Sequence, residues 1–80
     1  MNKERQIFAM TLFNKIPHLV SLIEKNFSLD FRQAMRLLYN STLFSDLENE
    51  KTKVWHFSEI LLLDLLEQEI NTGKINYPDV

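Results

Sequence analysis

The sequence predicts an all-α domain, a small bundle of about four helical elements, and three observations predict it. Apolar residues recur at spacings of three and four across most of the 80 positions, the period of helices packed along one side. Glycine occurs once and proline twice, too few for a turn-rich β fold. The one run with strand character, Val54-Trp55-His56-Phe57, is short and has no second strand to pair with.

The first element runs from Lys3 to about Phe27, with Phe8, Leu12, Ile16, Leu19, Val20, Ile23 and Phe27 along its packed side. Pro17 interrupts it. A proline inside a helix removes one hydrogen bond and clashes with the preceding turn, at a cost of about 3 kcal/mol. The element is therefore expected to be kinked or broken there: one kinked helix, or a helix ending near Asn14 or Lys15 and a second with Pro17 in its first turn. Asn14-Lys15 makes a tolerable end, which favours the break or a strong kink.

Ser28 is the expected N-cap of the next helix, with Asp30 favourably placed near its dipole, and that helix should reach Tyr39 or Asn40. Phe31, Ala34, Met35, Leu38 and Leu37 would supply its apolar side, and Arg32 and Arg36, one turn apart, would point outwards together. Leu43-Phe44-Ser45-Asp46-Leu47 reads as a short helix carrying Leu43, Phe44 and Leu47 inwards. Residues 48–53 read as a solvated loop, followed by Val54 to Phe57 as an extended aromatic step.

The last helix is the one around which the chain should be organised. Ser58 is its expected N-cap, Glu59 complements its dipole, and Gly73 is placed where a C-terminal cap needs positive φ. At 100° per residue, Leu62, Leu63, Leu66 and Ile70 share one face, Leu61 and Leu65 form a second stripe, and Asp64, Glu67, Gln68 and Glu69 fill the arcs between. A surface helix normally has one apolar stripe. Two stripes require cover on both sides, from the chain itself or from a second molecule. Residues 74–80 form the expected tail of a single domain spanning 1–80, with Ile75 and Tyr77 available to pack down.

Composition narrows the function classes. A chain of this size buries only roughly 60% of its unfolded surface. It has no cysteine, so disulfides, zinc fingers and cysteine nucleophiles are excluded, and dense helix packing or oligomerisation must supply stability. The net charge of −2 argues against general nucleic-acid or anionic-membrane binding. Residues 1–40 carry six basic and three acidic side chains, net +3, and residues 41–80 three basic and eight acidic, net −5, so the halves of two copies could attract. Met1-Asn2-Lys3-Glu4-Arg5 does not lead into the apolar core of a secretory signal, and no 18-residue window is uninterruptedly apolar. A cytoplasmic protein is expected.

Chemistry-bearing residues are few. One glycine cannot build a phosphate loop, and His56-Phe57-Ser58-Glu59 has neither a nucleophile elbow nor the spacing of a metal-binding helix pair. No enzyme, cofactor or metal is expected. His18 reads as a surface side chain. His56, between two aromatic residues, either fixes the start of the last helix by a hydrogen bond or joins Trp55 in recognising a partner. Arg32 and Arg36 on a short helix after another helix give the alternative, half of a helix-turn-helix contacting DNA.

Ser28-Leu29-Asp30-Phe31-Arg32-Gln33-Ala34 through Leu43-Phe44, and then Val54-Trp55-His56-Phe57-Ser58 before the last helix, resemble a family of short bacterial proteins of unknown function, often neighbours of toxin-type proteins. That family shows a Ser-led second helix, a short apolar turn and an aliphatic-Leu-His-Thr step into a C-terminal helix. Here Trp55 replaces the leucine and Phe57 the threonine, and His56 carries over. The resemblance implies a protein-binding or antitoxin-like accessory role without catalysis. The combined expectation is a non-enzymatic interaction module, a homodimer or a subunit of a complex, using Trp55, His56, Leu61 and Leu65.

Overall fold

Helix α1 (Lys3–Phe27) passes through Pro17 without ending. The computed structural model describes residues 3–78, so Met1, Asn2 and the last two residues of the expected tail, Asp79 and Val80, lie outside the described residues. Of the break or strong kink expected at Pro17, the break near Asn14-Lys15 does not occur, for a reason readable in the packing. The inner stripe stays in phase across the proline, from half-buried Phe8, Leu12 and Ile16 to fully packed Leu19, Val20 and Ile23, and a break would turn one half away from the core. Pro17 and Phe13, whose carbonyl loses its usual donor, are both exposed, so water can replace the missing bond.

Helix α2 (Phe31–Tyr39) is capped by Asp30 and not by Ser28. The Asp30 carboxylate accepts from the Gln33 amide at 2.8 Å while the Gln33 side chain accepts from the Asp30 amide at 3.1 Å, a reciprocal capping box. Ser28 instead closes α1: its φ is +54°, and the Leu29 amide donates to the Glu24 carbonyl at 3.0 Å, a Schellman-type reversal. Two adjacent helices with so short a connection need one left-handed residue, and Ser28 supplies it.

Helix α3 (Thr42–Leu47) starts from two caps of different origin. Ser41 accepts from the Phe44 amide at 3.0 Å, and the carboxylate of Glu69 accepts from the amides of Thr42 at 2.8 Å and Leu43 at 3.0 Å. Glu69, expected among the polar arcs of the last helix, is thus a tertiary cap that places a negative charge at a positive helix end. Replacing Glu69 by alanine should cost about 1–2 kcal/mol in urea unfolding. Glu67→Ala, which removes only an exposed 3.3 Å bond from Asn26, should stay within about 0.5 kcal/mol. Equal effects of the two substitutions would refute the cap.

Between α3 and the last helix the chain makes two 3-10 turns, Glu50–Thr52 and Val54–His56, joined by Lys53 at φ +62°. The expected loop is thus solvated with one 3-10 turn in it, and the expected extended step at Val54 to Phe57 is corrected to a second turn. Thr52 ties the first turn to α3 by donating its hydroxyl to the Asp46 carbonyl at 2.6 Å, and joins the second turn by accepting from the Val54 amide at 3.2 Å. Curling, as opposed to extending, points Val54 and Trp55 into the core, where each is 4% exposed.

Helix α4 (Glu59–Thr72) has the ends the sequence predicts. Ser58 accepts from the Leu61 amide at 3.2 Å, and Gly73, at φ +76°, donates its amide to the Glu69 carbonyl at 2.8 Å. Two ties set α4 beside α1 in the same direction: Lys15 binds the carbonyls just before α4, and Asn26 meets Glu67 further along. Leu62, Leu65 and Leu66 are buried. Ile70, expected on the same face as Leu62, is 45% exposed.

The tail packs back onto the bundle. The Asn76 amide donates to the Gln68 side chain at 3.0 Å, Ile75 packs against the core, and the Tyr77 hydroxyl donates to Asp46 of α3. Burial and the Asp46 carboxylate push the Tyr77 hydroxyl pKa well above its ordinary value, which keeps it a donor.

Candidate functional site

The four residues expected to form a partner surface differ in burial. Trp55 and Leu65 are core residues at 4% and 1% exposure, Leu61 is half-buried beneath the core's edge, and His56 is exposed. Trp55 and Leu65 are thus part of the packed core. The indole ring meets Phe8 edge-on at 5.2 Å and its Nε1 donates to the Glu50 carbonyl at 2.9 Å. His56 stacks on the outer side of the indole at 3.9 Å between centroids, and the Lys53 ammonium lies 5.8 Å from it. The imidazole closes the core there and leaves its polar edge in solvent.

Lys15 fixes this corner. Its ammonium donates to the carbonyls of Trp55 at 2.8 Å and Phe57 at 2.6 Å, joining the middle of α1 to the start of α4. Burial lowers its pKa, with the Glu59 carboxylate opposing that shift. Among the described residues no group of three or more histidine, aspartate or glutamate side chains is arranged to hold a metal ion. Arg32 and Arg36 are both exposed on α2, and Arg36 also borders a groove between α2 and α4. His18 is exposed, as expected.

The unpartnered apolar surface lies elsewhere, on the N-terminal half of α1. Ile7, Met10 and Phe13 recur every third residue on its outer side, at 52%, 65% and 81% exposure, while Phe8 and Leu12 face inwards. A shallow hollow lined by Ala9, Met10, Phe13 and Asn14 follows the stripe. Residues 6–14, Gln-Ile-Phe-Ala-Met-Thr-Leu-Phe-Asn, contain no ionisable side chain. A permanently solvated helix face normally carries charge. The two-sided helix is α1, and the signal that marks it is this uncharged stretch with apolar residues at both phases.

No helix among the described residues is long and apolar enough to cross a membrane. In comparisons with known proteins, the chain matches no family model, no curated protein and no solved structure.

Proposed function

We propose that this protein is a non-enzymatic interaction module that self-associates through the outer face of α1. The observation that carries the reading is the exposed Ile7, Met10 and Phe13 stripe on a helix segment without a single charge. Antiparallel pairing about Met10 sets Ile7 of one copy against Phe13 of the other, opposes the two helix dipoles, and desolvates no ion. It forms a symmetric interface, the commonest closed form among oligomers. One helix face on each side places the contact at the small end of specific interfaces, so the dissociation constant should be on the order of 10 µM.

The resemblance to short bacterial proteins beside toxin-type neighbours supports an accessory, antitoxin-like setting for the module, inside the cell. The DNA-binding reading through Arg32 and Arg36 has less support, because the chain carries a net charge of −2. Sedimentation equilibrium tests the proposal. The wild-type chain should pass from monomer to dimer across the micromolar range, and Phe13→Asp should remain monomeric with unchanged helix content and melting temperature. Wild type that stays monomeric throughout, or a Phe13→Asp variant that still dimerises, would defeat it.

A further inference from the structure

Beyond the α1 face, we infer that the groove between α2 and α4 binds a small amphipathic carboxylic acid, a single anionic head on an aliphatic body. The groove has a volume of about 440 Å³, within the roughly 300–1,000 Å³ usual for small-molecule sites. Its apolar wall is made by Leu29 and Leu37 from the α2 side and by Leu66 and Ile70 from α4. Ile70, one turn after Leu66 on the same face of α4, stands exposed at the groove's edge.

Two charged side chains border that wall, Arg36 and Glu69, and they are not equivalent. Both oxygens of Glu69 accept amides from the start of α3, so its charge is engaged inside the fold. Arg36 is exposed and makes no ion pair among the described residues. The groove thus offers an apolar bed with one available guanidinium at its rim. A planar guanidinium pairs best with a planar carboxylate through two parallel hydrogen bonds, whereas an alcohol or an amine of the same chain length gains no such pairing.

Decanoate below its micelle concentration is the probe, and isothermal titration calorimetry with amide chemical-shift mapping is the measurement. Saturable one-to-one binding is expected, with shifts at Leu37, Leu66 and Ile70. Decanol should bind at least about tenfold more weakly, as should decanoate to Arg36→Gln, the size of effect expected for a charge-assisted pair. Arg36 is exposed, so that variant should fold normally, and Arg32→Gln, one turn away and outside the groove, should stay within about twofold of wild type. Absence of saturation by about 5 mM, equal binding of decanol, or equal loss in the two arginine variants would overturn the proposal. Phe13→Asp should leave this binding intact, which separates its failure from failure of the association reading.

Discussion

Trp55→Ala should lower the unfolding free energy by about 3–5 kcal/mol, the range for removing a large buried aromatic side chain. The indole is 4% exposed, touches Phe8, carries His56 on its outer side and satisfies the Glu50 carbonyl through Nε1. Truncation leaves a cavity and removes the shorter of two hydrogen bonds to the Glu50 carbonyl, which keeps only the Lys53 amide at 3.4 Å. At about 0.05–0.15 kcal/mol per residue a domain of this size has a total margin near 4–12 kcal/mol, so the variant loses a large share of it. Urea unfolding followed by circular dichroism is the suitable readout, since Trp55 is the sole tryptophan. Trp55→Phe, which keeps a ring against Phe8 but drops the donor, should cost about 1–2 kcal/mol. A loss below about 1 kcal/mol for the alanine variant would mean that Trp55 is not part of the core.

Pro17→Ala should raise stability by about 2 kcal/mol, the second largest change expected. Restoring the amide recovers a hydrogen bond to the Phe13 carbonyl and removes the ring clash, worth about 3 kcal/mol in a helix interior. The unfolded chain gains freedom on losing proline, which offsets roughly 0.4–1 kcal/mol of that. For a domain of this length the melting temperature should rise on the order of 10 °C. Because Pro17 is exposed, alanine meets no neighbour it could displace. A lower melting temperature for Pro17→Ala would show that the proline sets a bend that lets both halves of α1 reach the core.

Local signals were legible where a single stretch of chain holds its own determinants. The period of three and four gave the helices, Ser58 and Gly73 gave both ends of α4, and Leu43, Phe44 and Leu47 gave the short α3. Local signals misled where two residues compete for one role. Ser28 and Asp30 can each cap a helix, and only the reversal between α1 and α2, which needs a left-handed residue at 28, assigns the cap to Asp30. Val54-Trp55-His56-Phe57 has strand propensity, but no partner strand exists among the described residues and the indole is drawn inwards by Phe8, so the segment curls.

The chain by itself determined an all-helical fold, the ends of the last helix and the presence of more apolar stripes than an isolated helix needs, because these depend on residues within one or two turns of each other. The tertiary structure decided which stripe is left over. Helix period alone cannot say that the tail returns to Gln68 and Asp46, that Glu69 reaches the start of α3, or that Ile7, Met10 and Phe13 remain uncovered. Those outcomes depend on contacts between positions far apart in sequence, and such contacts form only when all four helices share one core.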